Sequence, residues 1–493
     1  MKYLSHIIAA LCVFFLVYSP CAVLGQTAQE VHVSGSPNPV GSGARALGMG
    51  GAFIGVADDA TAASWNPGGL IQLETPEVSL VLSYDNLIEK RSFENYPGAS
   101  GSYDLSLCDI NYLSAAYPFT IENTNMVFSL NYQSLYNFNK THRYDYDYQD
   151  GSTTAVVTGP PVDIVFQEEE NSFRQSYRTI DGYLKALSPA LSFQWTPRFS
   201  FGFTFNYFHP DLGSHWDEVS IDERNGLRRE VTTTSLTGGP VLNQTIIEYS
   251  LSIRSKYVSE YTFETSLNPF NFNKASYHIG FLWNINSYLT LGGVYKPGYT
   301  AKVHFKEYWE SENTLVEVGN PGNVLQTIDP WELKTDEDQE MVMPASYGLG
   351  LSCRFSDRFI MDLDVYRTDW QDFLLRQADG TEISLITGQE HSLSDTKSTY
   401  QIRLGGEYLY LYKYKYAIPV RAGVFYDPEP TEGDPDDFYG FSLGSGIANN
   451  KFAFDIAYQY RWGNDVRKVR LGSEEISQDI EQHTIHASII YYF

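Results

Sequence analysis

Cysteine is nearly absent. The 493-residue chain has 4, and Cys12 and Cys21 fall within its first 25 residues, leaving Cys108 and Cys353. Two distant cysteines exclude a disulfide framework and a zinc site. Basic charge is also scarce: 34 Lys+Arg stand against 60 Asp+Glu, a formal net charge of -26. Nucleic acid is excluded as a partner, because binding a polyanion takes clustered Lys and Arg to release its counterions. Beyond residue 25, no run approaches the roughly 18 consecutive apolar residues of a transmembrane helix. Disorder is excluded by a hydrophobic share of 43%. What the chain has in abundance is aromatic side chain, with 37 Tyr, 29 Phe and 8 Trp.

Met1 and Lys2 followed by the apolar stretch Ile7 to Leu24 have the parts of a secretory signal, with cleavage expected after Gly25. From Pro76 onward the dominant signal is alternation at period two. Phe199, Phe201, Phe203, Phe205 and Tyr207, for example, interleave with Ser200, Gly202, Thr204 and Asn206. Such segments fall near 76–86, 106–118, 125–138, 179–196, 199–210, 275–285, 288–306, 344–355, 359–370, 398–411, 416–427, 438–448, 451–463 and 481–493. They number fourteen, and the connections between them alternate strictly in length. Thr196-Pro197-Arg198, Asn286-Ser287, Ser356-Asp357-Arg358 and Asn449-Asn450 are short; 87–105, 139–178, 211–274, 307–343, 371–397, 428–437 and 464–480 are long. Segregating long loops to one end is the asymmetry of an outer-membrane barrel, and a soluble sandwich has no reason for it. The reading is therefore all-β: a 14-stranded antiparallel transmembrane β-barrel over 76–493, a lumen plug over 26–75 and a signal over 1–25. Arg354, Asp362, Asp364, Arg403, Glu407, Arg421, Asp455 and Arg461 are expected to face the lumen and brace it as ion pairs.

The stretch Gly41 to Leu70 is rich in Gly and Ala and lacks the alternation, as suits backbone packed closely inside a barrel. Gly41-x-Gly43-x-x-Ala46 is not a dinucleotide site, since no strand precedes it. Gly440-Phe441-Ser442-Leu443-Gly444 lies inside an alternating strand, so Ser442 reads as a lumen-facing serine and not a nucleophile. His483 and His486 differ by an odd number and face opposite sides of a strand. No catalytic residue, metal site or cofactor is expected. The acidic runs Glu168–Glu170, Asp336–Asp338 and Asp427–Asp437 read as solvated external loops, with Ca²⁺ or Mg²⁺ bridging lipopolysaccharide phosphates as the alternative.

The run Gly41 to Leu70, with Ala57-Asp58-Asp59-Ala60 and then Trp65-Asn66-Pro67-Gly68-Gly69-Leu70, resembles the N-terminal hatch of the FadL/TodX (OMPP1) family of outer-membrane hydrophobic-compound transporters. Met343 to Gly350, Ser356 to Phe359, Thr368 to Phe373, Arg403 to Tyr408 and Val420 to Gly423 extend the resemblance along the chain, and the terminal Phe493 resembles the signal read by outer-membrane assembly machinery. The resemblance implies a monomer in the outer membrane of a Gram-negative cell, in contact with membrane lipid and lipopolysaccharide. It would pass a hydrophobic small molecule, a long-chain fatty acid or an aromatic hydrocarbon, without an energy source. It implies capture in a groove between the third and fourth external loops, passage through the lumen as the hatch rearranges, and lateral exit into the bilayer. In this chain those loops would be 211–274 and 307–343, with Trp216, Phe263, Phe270, Phe272, Trp309 and Trp331 as the candidate groove. The family's Asn-Pro-Ala element corresponds to Asn66, Pro67 and Gly68, where Gly departs from the pattern. The family's third strand is kinked, yet Asn125 to Phe138 has neither Gly nor Pro. Pro189 in the next strand removes a ladder donor, so the lateral gap is expected there, between strands three and four. The other reading is a barrel of the same kind serving as a docking scaffold for secretion or surface partners.

Overall fold

The computed structural model describes residues 41–158, 161–265, 275–413, 415–471 and 474–493. Fourteen antiparallel strands close into a barrel. In spatial order these are β1 (Glu77–Arg91), β2 (Gly101–Ile121), β3 (Thr124–Asn137), β5 (Val162–Thr196), β6 (Phe199–Phe208), β9 (Ser276–Asn284), β10 (Leu289–Lys296), β13 (Ser346–Ser356), β14 (Phe359–Thr368), β17 (Thr399–Tyr412), β18 (Tyr416–Tyr426), β19 (Tyr439–Ala448), β20 (Phe452–Leu471) and β21 (Glu474–Tyr492), which pairs back onto β1. Closure leaves no sheet edge in lipid, where an unpaired backbone group costs several kcal/mol. Each strand alternates as expected: on β1, Glu77, Ser79, Val81 and Ser83 are buried while Val78, Leu82 and Tyr84 face outward.

Three connections expected to be loops are strands. β4 (Lys140–Val157), the upper half of β5, β7 (His215–Leu236), β8 (Val241–Glu264), β11 (Tyr299–Glu317) and β12 (Val324–Met343) continue the wall upward as one sheet, in the order β4–β5–β7–β8–β11–β12. Their sequences place polar residues on both faces over much of their length, and so lack the unbroken alternation that marks a wall strand. The single strand expected over 288–306 is broken by Pro297-Gly298, where the chain leaves the barrel wall at Lys296 and enters the upper sheet at Tyr299. A short hairpin, β15 (Leu374–Arg376) with β16 (Glu382–Ser384), folds over the top of the lumen.

Seven of the eight charged side chains expected inside are buried there, and Arg354 is not: it is exposed beside the short β13–β14 turn. Cys108 and Cys353 are free thiols. No helix among the described residues is long and apolar enough to cross a membrane, and no group of His, Cys, Asp or Glu among them is placed to hold a metal ion.

The hatch, the lumen cavity and the open seam

The segment from Gly41 to Leu73 fills the middle of the barrel. The short helix Ala44–Gly48 lies against β18 to β21, and the turn Pro67–Gln72 lies against β5, β6 and β9 on the other side. Small residues permit this contact. A Cβ on wall residue Gly280 would fall on the Asn66 amide, and one on Gly405 would fall on the Met49 carbonyl. Wall side chains then bond the hatch backbone from every direction. Asp364 Oδ2 accepts from Phe53 N (2.7 Å) and Ile54 N (2.9 Å). Thr204 donates to Ala63 O (3.0 Å), Ser442 to Gly48 O (3.0 Å) and Arg403 to Gly50 O (2.9 Å). The inward carboxylates thus do more than brace the wall. Ion pairs do exist, Arg421 with Glu407 and with Asp455 at 2.5 Å each, and Arg45 of the hatch joins Glu407 at 3.0 Å.

Asn66, Pro67 and Gly68 sit at the centre of this seating. Fully buried, Asn66 donates from Nδ2 to Ile54 O and to Phe281 O, both at 2.9 Å, and its Oδ1 accepts from Gly68 N at 3.1 Å. One side chain therefore holds two hatch turns and the β9 wall. The Gly at position 68 has a physical reason: a Cβ there would lie 2.7 Å from Phe281 Cα.

Above the hatch the barrel wall opens. β2 and β3 pair from Ile121–Thr124 up to Tyr112–Gln133 and no further, although β2 goes on pairing with β1 to Gly101 and β3 with β5 to Asn137. Both strands carry an extra residue at the point of parting. On β2, Val81 faces Tyr112 and Leu82 faces Ile110, leaving Asn111 as the bulge; on β3, Ser134 faces Lys185 and Tyr136 faces Leu184, leaving Leu135 as the bulge. A bulge bends its strand and disrupts the ladder, so two of them here part the strands without Gly or Pro. The last β2–β3 rung is level with Ala186, and the outward apolar run of β5 ends at Leu187. The seam therefore begins where the lipid-facing band ends, at its outer edge.

A cavity with an empty volume of about 1270 Å³, including the part open to solvent, connects the hatch to this seam. Leu47 and Trp65 of the hatch line its floor, Leu87, Leu105, Leu107, Leu135 and Tyr136 its apolar side, and Asp85, Arg403, Arg461 and His486 its polar side. Tyr183 lines it as well, although it lies on the face of β5 opposite the buried Leu184 and Ala186, so the cavity reaches the outside of the wall. Across the seam Lys185 Nζ pairs with Asp109 at 2.7 Å. The top of the lumen is closed by an apolar cluster in which Trp216, Phe263, Phe138, Phe208, Trp370 and Phe373 meet. On the connection between β18 and β19, burial would raise the Glu429 carboxyl, but Arg467 at 2.7 Å and Arg461 at 2.8 Å outweigh it and hold it at about 2.

Of the six expected groove residues, the structure brings two together: Trp216 stacks on Phe138 at 5.2 Å, and fully buried Phe263 joins the same cluster. Trp309 and Trp331 stand apart on the upper sheet, Trp331 stacked on Tyr308 at 5.3 Å. Phe270 and Phe272 lie outside the described residues. Pro189 lies opposite Leu130 in an intact β3–β5 ladder, and only its pairing with β6 skips Ser188 and Pro189. The unpaired seam lies one strand away, between β2 and β3. Sequence reasoning missed the cavity wall, Leu105 and Leu107 above all.

A closed barrel with a Gly-rich hatch bonded into its lumen defines a class of outer-membrane channel. Residues 169–490 match the family of outer membrane protein transport proteins (OMPP1/FadL/TodX), and the chain belongs to it. That family is one of transport channels and not of enzymes. Among solved structures, the chain is similar to a crystal structure of a Pseudomonas aeruginosa FadL homologue (15% identity, 92% of this chain and 98% of that chain, TM-score 0.51). It is also similar to the Pseudomonas putida toluene transporter TodX (14% identity, 93% and 100% covered, TM-score 0.49). The Ralstonia pickettii toluene transporter TbuX is a further likeness (15% identity, 92% and 99% covered, TM-score 0.42). No curated protein matches the chain in sequence. Fold and family fit an outer-membrane location.

Proposed function

We propose that this protein is a passive channel through which hydrophobic compounds, fatty acids or aromatic hydrocarbons, cross the outer membrane. The observation that carries this reading is the open β2–β3 seam joined to a lumen cavity with an apolar side. A solute reaching the cavity past the Trp216–Phe263 cluster meets apolar side chains on the way to the seam, and there it meets the edge of the lipid-facing band. A molecule that prefers lipid to water needs no further driving force. Hatch rearrangement would admit it to the cavity floor, with the Asn66–Pro67–Gly68 turn as the element that moves. Residues 1–25 would serve as the export signal, cleaved after Gly25; they and residues 26–40 lie outside the described residues. The protein would work as a monomer among lipid and lipopolysaccharide.

The docking-scaffold reading is supported by one feature, the outer part of β12, which has no neighbour on its far side among the described residues and exposes Leu325, Ile328 and Trp331. Deleting Leu135 separates the two readings. Without the bulge, β3 keeps its register and can continue pairing along β2. Uptake of a hydrophobic solute into vesicles carrying the purified protein should fall by about tenfold or more, a loss of at least ~1.4 kcal/mol in effective passage. Uptake unchanged in a correctly folded deletion variant would remove the lateral route, and absence of uptake in the unaltered protein would favour the scaffold.

A further inference from the structure

One sector of the periplasmic rim carries a charge opposite to that of the chain as a whole. The formal net charge is -26, yet three consecutive short turns bring together five basic side chains and a single acidic one. Arg354, Asp357 and Arg358 are at the β13–β14 turn, Lys413 and Lys415 at the β17–β18 turn, and Lys451 at the β19–β20 turn. These turns are neighbours, because β14 pairs with β17 and β18 with β19, and Arg358 O accepts from Leu409 N at 2.8 Å. The three other short turns hold only Glu122 and Arg198 between them. All five cations of the sector are exposed, and none has an ion pair among the described residues. Exposed cations of the upper sheet differ: Arg143 pairs with Asp145 at 2.9 Å, Arg254 with Glu223 at 3.1 Å and Lys302 with Asp338 at 3.1 Å.

The position of these cations says what they meet. Just above them on the outward face stand Phe355, Tyr408, Tyr410, Tyr412 and Phe452, all exposed, an aromatic band of the kind that marks a membrane interface. Farther along the same strands the outward residues are aliphatic, among them Leu363, Leu404, Val420, Leu443 and Ile456. The basic groups therefore lie at the depth of lipid headgroups. Lys413 and Lys415 stay beside the band, 5.1 and 5.5 Å from the rings of Tyr412 and Tyr416. The short turns of an outer-membrane barrel face the periplasm, so the leaflet they touch is the inner one, built of phospholipid. Turns this short raise no surface for a protein to grip, but they set ammonium and guanidinium groups within reach of a phosphodiester beside the wall. A zwitterionic headgroup brings its own cation to the same place and gains less than an anionic one.

We infer that the β13–β14, β17–β18 and β19–β20 turns form a docking surface for anionic phospholipid of the inner leaflet, which holds the barrel by one side of its periplasmic rim. This rests on the outer-membrane location and not on the solute carried. The full-length protein, purified in a neutral detergent, is given equal amounts of dioleoylphosphatidylglycerol and dioleoylphosphatidylcholine, and bound lipid is counted by native mass spectrometry. Phosphatidylglycerol should be preferred by about tenfold or more, since each Lys or Arg near an anionic headgroup is worth about fivefold. Arg354→Gln, Arg358→Gln, Lys413→Gln, Lys415→Gln and Lys451→Gln combined should bring the two lipids within about twofold of each other. An equal number of exposed cations removed from the outer side, Arg143→Gln, Arg229→Gln, Arg254→Gln, Lys302→Gln and Lys397→Gln, should leave the preference intact. Heat-modifiable migration in gels confirms that each variant has closed its barrel. Equal binding of the two lipids by the unaltered protein, a preference that survives in the rim variant, or one lost equally in the outer variant overturns the inference. Displacement of bound phosphatidylglycerol by a poly-glutamate peptide at equal charge also overturns it, assigning the sector to an acidic protein. None of these results bears on passage of a hydrophobic solute, which the uptake measurement decides separately.

Discussion

Replacing Asn66 with alanine removes three buried hydrogen bonds at once, two given to Ile54 O and Phe281 O and one received from Gly68 N. The wall cannot close the gap, since Gly280 opposite has no side chain to move into it. At about 1 kcal/mol for each bond, and more where a buried group is orphaned, the hatch loses about 3 kcal/mol of docking energy. That is roughly a hundredfold in the ratio of docked to undocked hatch. The barrel ladder does not run through Asn66, so the strands should be unaffected. Hydrogen exchange resolves the two, because the Phe53 and Ile54 amides are protected by Asp364 only while the hatch is seated. Exchange of peptides covering Phe53 to Val56 should accelerate by roughly a hundredfold in Asn66→Ala, while peptides from β9 and β10 keep their rates. A change below about threefold would show that Asn66 is not a seating residue. Equal acceleration in β9 would show that hatch and barrel open as one unit, which would refute the picture of a hatch that moves within a standing wall.

Gly405→Val should drive a side chain into the Met49 carbonyl and weaken hatch docking by about 1–3 kcal/mol, read by the same exchange measurement. Arg421→Met should cost the barrel about 3–5 kcal/mol by stranding Asp455 and leaving Glu407 to Arg45 alone, as a drop in thermal midpoint, whereas Arg354→Ala, at an exposed turn, should stay within about 0.5 kcal/mol. The Glu429 carboxyl is held at about 2 when folded, below the ordinary value of about 4.3. Its contribution is therefore full above pH ~4.3 and is lost as the pH falls from there toward 2. Exchange of the 427–438 connection should rise across that window and be flat in Glu429→Gln.

The wall was legible because lipid outside and a packed hatch inside impose one alternation on strands such as Phe199 to Phe208 and Phe452 to Trp462. Short turns, long loops and the Gly-Ala run at Gly41 to Leu70 were legible for the same reason: each reflects a constraint that leaves its mark on neighbouring residues. The upper sheet was not, since Thr232, Thr233 and Thr234 in β7 and the acidic run Asp336–Asp338 in β12 meet water on both faces, and the pairing that orders them lies in backbone bonds. Pro189 pointed to the β3–β5 pair, whose ladder is paired at that residue, because a missing N–H is visible in a sequence. A bulge has no residue type of its own and is not.

That blindness concerns the feature that makes the cavity apolar. Along β2 the hydrophobic residues keep one phase, Leu105, Leu107, Leu113, Ala115 and Tyr117, which read alone puts all of them toward lipid. Asn111 slips the phase by one residue, and a slip of one reverses every side chain beyond it. Leu113 and Tyr117 do face outward, while Leu105 and Leu107 turn into the lumen and line the cavity beside the seam. On β3 the order is the converse: Ser129, Asn131 and Gln133 face in below Leu135, and Tyr136 and Phe138 face in above it. A pattern that continues without interruption through a bulge is thus apolar toward lipid below it and apolar toward the channel above it. One added residue in each strand both parts the wall and supplies the greasy surface on which a solute would approach the opening. Deleting Asn111 or Leu135 should therefore close the seam while Leu105, Leu107 and Tyr136 still face the lumen, because it restores regular alternation without shifting the pairs beyond the bulge.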